Sequence, residues 1–139
     1  MTDSGRTGRG LLDTSTVIRL AAISPEEHLP AEPVISTITL AELSVSPLIA
    51  RTDAARSARR AHLQQSESDF GPLPFDAATA RAFGRVAASV RRAGGPTAAR
   101  SDDAVTAAVA IANGLPLYTC NPDPFTGIEG LELVAVPTP

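Results

Sequence analysis

A chain of 139 residues with 43% hydrophobic and 19% charged side chains and a formal charge of −3 suits one soluble domain around a single core, and no apolar run approaches the roughly 18 residues that cross a membrane. The polar opening Met1 to Gly10 has no apolar stretch behind its charges, so neither a secretory signal nor an anchor is read there and a cytoplasmic address is expected. One cysteine, two distant histidines and twelve arginines without a single lysine exclude an intrachain disulfide, multi-cysteine metal sites, P-loops, Schiff-base enzymes and Lys-assisted phosphoaspartate chemistry.

Residues 1–8 read as a flexible extension before one domain over 9–137. Residues 10–13 form a short buried strand around Leu11 and Leu12, ending in Asp13 and turning into a helix through Val17, Ile18, Leu20 and Ala21. Pro30 and Pro33 interrupt the next segment, after which 34–38 reads as a second strand, 39–49 as a helix and 52–68 as another. The Pro-rich stretch 70–75 is a turn and an edge strand, where proline is tolerated. Asp76 caps a helix running to about Ala93, which Gly94-Gly95-Pro96 breaks. A helix from Ser101, with Val105, Ala108, Val109 and Ala112 at helical spacing, is closed by Asn113-Gly114. Strands follow at 115–119 and 131–136, separated by a loop over 121–127. Strands alternating with helices predict an α/β fold with a central, mostly parallel sheet of four to five strands flanked by helices, whose ligands collect at the C-terminal strand ends.

That layout brings acids to one edge. Asp13 follows the first strand, Glu42 and Asp103 fall in the first turns of helices, and Asp123 follows the fourth strand. Two carboxylates ~5 Å apart repel by about 3 kcal/mol at an effective dielectric of 20, so such a cluster favours a cation between its members. Oxygen donors without His or Cys select a hard ion, Mg²⁺ or Mn²⁺. Each acid also has a plain structural reading. Thr39-Leu-Ala-Glu42 has the form of a capping box, Asp13 that of an N-cap, and Asp102 or Asp103 suits the positive end of a helix.

The words around these acids are Leu11-Leu-Asp13-Thr-Ser-Thr-Val-Ile18, Thr39-Leu-Ala-Glu42-Leu, Ser101-Asp-Asp103-Ala-Val-Thr-Ala-Ala, and Leu117-Tyr-Thr119-Cys-Asn121 followed by Phe125 and Gly130-Leu131. In order and spacing they resemble the PIN-domain nucleases, and among these the VapC-type toxins of bacterial toxin–antitoxin pairs. The resemblance runs from Gly10 to Pro137. It implies a PIN-like fold and an endoribonuclease dependent on Mg²⁺ or Mn²⁺, homodimeric, with RNA as substrate and a cognate antitoxin that silences it. Residue by residue, Asp13, Glu42 and Asp103 match the family's metal-binding acids, and Asp103 is preferred to Asp102 because it stands four residues before Ala107-Ala108. Thr119 and Asn121 match the polar pair after the fourth strand, with Ser15 supporting. Pro124 occupies the place before Phe125 where the family often carries an acid, and Asp123 is one residue early, so the fourth ligand is open between Asp123 and Asn121. In the implied chemistry an ion activates water, Glu42 positions or deprotonates it, and a 5′-phosphate results.

Charge is unevenly spread. Residues 51–100 carry nine Arg against four acids, whereas 101–139 carry five acids and no base. The basic middle reads either as solvated helix faces or as a track for an RNA backbone. Cys120 reads as a packed strand-end thiol, and His28 and His62 as surface residues. Two rival readings use the same residues: a metal-dependent DNase or phosphoesterase on this scaffold, and a catalytically silent binding module in which the acids are only caps.

Overall fold

Leu11 and Leu12 are fully buried in strand β1 (Arg9–Leu12), and because successive strand side chains point to opposite faces, each belongs to a different core. Leu11 packs with Val34 and Leu117 among Ala82, Val86, Ala107, Ala108 and Phe125. Leu12 packs with Ile35 and Tyr118 among Val17, Ile23, Leu43 and Phe70. Strands apolar on both faces require cover on both faces, and the computed structural model supplies it as helix layers on either side of one sheet. It describes residues 8–94 and 101–137, so the extension expected at 1–8 lies, apart from Gly8, outside the described residues, as does Gly95-Pro96.

After β1 come α1 (Thr14–Ile18), a 3₁₀ turn (Leu20–Ala22), α2 (Pro25–His28), β2 (Glu32–Ser36), α3 (Thr37–Leu48) and α4 (Asp53–Asp69). The chain continues through β3 (Pro72–Leu73), α5 (Ala77–Arg92), α6 (Ser101–Ala112), β4 (Leu117–Thr119), a 3₁₀ turn (Asp123–Phe125) and β5 (Leu133–Ala135). The strand order is β3-β2-β1-β4-β5, and every described pairing is parallel. The expected α/β architecture is therefore present with five strands. From β1 the chain builds outward to β2 and β3 on one side, then returns to add β4 and β5 on the other. The crevice between the C-terminal ends of β1 and β4 is thus the topological switch point, where open parallel sheets hold their ligands.

Local chemistry moves several expected boundaries. The second strand stops at Ser36, not residue 38, because the Ser36 hydroxyl accepts the Thr39 N–H (3.2 Å) and caps α3 two residues earlier than expected. Pro33, expected to interrupt the segment, lies inside β2; β3 joins only at Ile35 and Ser36, so Pro33 faces no ladder on that side and its missing N–H costs nothing there. The helix expected to run on through Leu20 and Ala21 ends at Ile18, and those residues form a separate 3₁₀ turn; the short α2 after it starts on Pro25 and is a single turn too brief for periodicity to register. Asp76 caps α5 as expected, accepting from the Thr79 N–H (2.9 Å) and hydroxyl (2.8 Å), and Pro72–Leu73 is an edge strand. Among the described residues no helix is long and apolar enough to cross a membrane.

Candidate active site

β1 ends in Asp13, whose backbone is extended and whose carboxylate caps α1 by accepting the Thr16 N–H (3.0 Å). The same carboxylate accepts the Thr16 hydroxyl (2.8 Å), the Ser15 hydroxyl on both oxygens (2.9 and 3.0 Å) and the Thr119 hydroxyl (2.6 Å). Asp13 is only 7% exposed, while Thr16 and Thr119 are fully buried, so a buried charge is held by short, charge-assisted bonds on both oxygens. The bond from Thr119 ties the end of β4 to the end of β1 across the switch point. Thr119 Oγ1 also accepts the Asn121 N–H (3.0 Å), and Thr16 Oγ1 accepts the Cys120 N–H (3.1 Å). The hydroxyls of Thr16 and Thr119 thus lock the two strand ends together.

Glu42 does not belong to a capping box. Ser36 is the N-cap of α3, which places Glu42 in the second turn, beyond reach of the first N–H groups and outside the first turn where it was expected. Its carboxylate instead accepts the Thr14 hydroxyl. Thr14 has a single proton and spends it there, so Thr39, 2.9 Å away on α3, donates to Thr14. The Thr39-Thr14-Glu42 chain aims the carboxylate at α1 and at the cleft.

Asp13, Thr14, Ser15, Glu42, Asp102, Asp103, Thr106, Asn121, Pro124 and Phe125 line one cleft of about 100 Å³ at this edge. Asp102 and Asp103 both lie in the first turn of α6 and both face the cleft, so the geometry retains the pair that helical periodicity could not separate. Asp123, exposed at the start of its 3₁₀ turn, is not among the lining residues; Asn121 and Pro124 take that wall. Thr14 and Thr106 line the cleft without having been singled out from the sequence, although both stood in the quoted words and their hydroxyls were the available signal; Asp102, weighed there and passed over for Asp103, lines it too.

Burial pushes the Glu42 carboxyl above its ordinary value; the Thr14 bond opposes this, and the negative charges of Asp102, Asp103 and Asp13 add to the rise. Among the described residues, no three carboxylate, imidazole or thiolate groups are drawn together tightly enough to hold an ion as they stand.

Beside the cleft, and sharing Thr14 and Glu42 with it, lies a wider groove lined by Ile18, Leu43, Ser46, Ala58, Arg59 and His62. His62, expected on the surface, is half-buried with Nε2 enclosed and without a partner, because α4 packs it toward α3. His28 is likewise half-buried. Cys120 is the packed strand-end thiol expected, its Sγ 3.7 Å from the Thr16 hydroxyl oxygen.

A family model for the PIN domain matches residues 11–130. Among solved structures, VapBC-5 of Mycobacterium tuberculosis, a member of the VapBC family of toxin–antitoxin systems, is 31% identical with a TM-score of 0.80, over 93% of this chain and 99% of that one. FitAcB of Neisseria gonorrhoeae (21% identical, TM-score 0.74, 89% of this chain and 95% of that one) shares the fold. So does VapBC-1 of nontypeable Haemophilus influenzae (21%, 0.74, 91% and 97%). No curated protein matches the chain. With the strand order, the acids at the switch point and these similarities in agreement, the chain belongs to the PIN-domain family, in its VapC toxin type.

Proposed function

We propose that the protein is a Mg²⁺- or Mn²⁺-dependent endoribonuclease, the toxin of a toxin–antitoxin pair. The observation that carries this reading is the gathering of Asp13, Glu42, Asp102 and Asp103 on one cleft at the switch point, with Glu42 pushed toward its protonated form by burial and by the other three. An all-oxygen donor set of this charge fits a hard divalent ion. Asp13, Asp103 and Glu42 would hold it, with Asn121 the better-placed candidate for the remaining position and Asp123 the alternative. Bound there, the ion supplies Lewis acidity toward a phosphodiester oxygen and makes a water more acidic.

The protein's own groups do the rest. Ser15, Thr16 and Thr119 fix the Asp13 carboxylate, so one charge is placed without reorganisation. Glu42, oriented toward the cleft by the Thr14 hydroxyl, is suited to take a proton from water. Asn121, on the opposite wall, offers an amide to a phosphate oxygen.

The antitoxin reading draws support from the groove beside the cleft. Ile18 is 60% exposed and with Leu43 and Ala58 gives an apolar bed continuous with the acids, so a partner helix seated there could extend Arg or Lys to the carboxylates and displace the ion.

The test is cleavage of a 5′-labelled single-stranded RNA by the full chain, beside duplex DNA and a chromogenic phosphate ester. RNA cleavage in Mg²⁺ or Mn²⁺, stopped by chelator and reduced roughly 100-fold or more in Asp13→Asn and Asp103→Asn, is expected. Preferential cleavage of DNA or the ester would move the activity to another substrate, and no cleavage in either ion by folded wild type would overturn the nuclease reading.

A further inference from the structure

The arginines of the basic middle do not share one fate. On the α3–α4 side Arg56 is paired with Asp53 (2.9 Å) and Arg59 reaches the Ser46 carbonyl (3.0 Å). On α5, Arg81, Gly84, Arg85, Ala88 and Arg92 recur at helical spacing on one face, and with Ile111 of α6 and Glu129-Gly130 they line a groove of about 560 Å³. Three guanidinium groups are thereby strung along about 16 Å of helix, in a chain whose net charge is −3. Two carboxylates stand near them: Glu129, 3.4 Å from Arg92, and Asp76 at the N-cap of α5, within electrostatic reach of Arg81.

The floor supplies a second, independent observation. A glycine inside a helix weakens it, and most such glycines make room for a neighbouring element. A Cβ at Gly84 would meet nothing within 4 Å, so no part of this chain needs the space. With Ala88 one turn on, the floor between the arginines is bare, as it would be for something laid along it from outside. Ile111 is the one large apolar side chain in the lining, which leaves little to anchor a protein partner, since protein interfaces rely on buried aromatic or aliphatic anchors. A polyanion of regularly spaced charge fits better: each guanidinium can take a phosphate through two parallel bonds. The cleft itself is lined by carboxylates that repel a phosphodiester chain, so attraction must come from elsewhere on the surface.

We infer that this groove on α5 binds the phosphate backbone of single-stranded RNA, holding the substrate outside the acidic cleft; the choice of RNA rests on the ribonuclease reading above. The experiment is fluorescence anisotropy of a 5′-fluorescein RNA of about 20 nucleotides with the full chain in chelator, where binding is read without cleavage, across a salt series. Arg81→Gln/Arg85→Gln should weaken binding about 10-fold and flatten the log–log salt slope by about 1.4, from roughly 0.7 per lost single-strand phosphate contact. Arg51→Gln/Arg60→Gln, the same charge change at exposed positions elsewhere, should change affinity less than about 2-fold. Glu129→Gln should tighten binding by releasing Arg92. Gly84→Ala should raise the melting temperature while binding persists, and Gly84→Leu should block the groove in a folded protein.

Equal weakening by the two double variants would reduce the effect to overall charge and overturn the groove. Unchanged RNA affinity in Arg81→Gln/Arg85→Gln, with loss of binding to a polyglutamate peptide, would make it a protein-docking surface instead. No RNA binding by wild type would overturn it outright. Cleavage in Mg²⁺, scored separately, keeps the outcomes apart: cleavage with groove-independent binding sinks only this inference, and groove-dependent binding without cleavage sinks only the nuclease reading.

Discussion

Asp13 reads from the sequence either as an N-cap or as a cleft carboxylate, and in the structure one side chain is both. Its Oδ1 caps α1 while Oδ2 takes the Thr119 hydroxyl at 2.6 Å. The cap was legible because the Asp-x-x-Thr pattern is local. The Thr119 bond was not, since nothing in sequence spacing says that a hydroxyl at the end of β4 meets the carboxylate at the end of β1. Thr119→Val keeps shape and strand propensity but leaves the buried Asp13 oxygen and the Asn121 N–H short of a partner. It should cost about 2 kcal/mol in urea unfolding; unchanged stability would mean that water replaces the hydroxyl. Glu42 makes a prediction of opposite sign. Burial, and repulsion from Asp102, Asp103 and Asp13, raise its folded pKa, so the folded state holds this proton more tightly than the unfolded chain. Stability from this group is full below the unfolded value near 4.5 and is lost as pH rises through the raised folded value. Glu42→Gln, still able to accept from Thr14, should therefore melt on the order of 1–2 °C higher than wild type at pH 7, a small effect at a partly solvated site. The difference should vanish below about pH 4, while turnover falls. A variant less stable at neutral pH with activity per folded molecule retained would return Glu42 to a purely structural role.

At the scale of elements, the two helix layers differ in how firmly they are held. α6 buries Ala104, Ala107, Ala108, Val109 and Ala110 against α5 and the sheet, and its run of small apolar residues is what made it readable. α4 buries only Ser66 along its length and leans on α3, while Val45, Leu48 and Ile49 nearby are 51%, 77% and 67% exposed. Hydrogen exchange should accordingly be faster across α4 than across α6 in the isolated protein, and an antitoxin seated beside Ile18 should slow it; equal protection in both helices would show that the α3–α4 hairpin is as well anchored as the core. Strand interiors allow a sharper statement. A Cβ on Gly10 would sit 2.6 Å from Tyr118 Cε1 and 2.8 Å from Pro30 Cγ, and Tyr118 is fully buried. Gly10→Ala should therefore cost about 1–3 kcal/mol in the same unfolding assay, where a strand glycine with open space around it would have gained stability. Boundaries were the least legible part. Ser36 and Thr39 both look like caps, and which one stops β2 depends on the pairing of Ile35 and Ser36 with β3, a neighbour 36 or more residues away.

For the whole molecule, alternation of apolar runs with helical periodicity was enough to predict a parallel α/β sheet, because strands apolar on both faces admit few other architectures. The order β3-β2-β1-β4-β5 was not readable from periodicity; what the alternation did carry was the edge on which the acids collect. The surface divides by charge accordingly, carboxylates at the switch point and arginines on the helices. Association with an antitoxin that brings cations to the carboxylates should weaken as salt rises from 0.05 to 0.5 M, in gel filtration or calorimetry, and should be opposed by Mg²⁺; salt-independent binding would point to the apolar groove alone. Finally, the bond between Thr119 and Asp13 spans 106 positions of sequence. Translation proceeds from the N-terminus, so β1 and Asp13 leave the ribosome long before β4 exists to hold them, and Asp103 is made late as well. A nascent chain, or one ended early by a stop before residue 117, carries acids without a cleft. On the proposed nuclease reading, such an unfinished chain does no cutting.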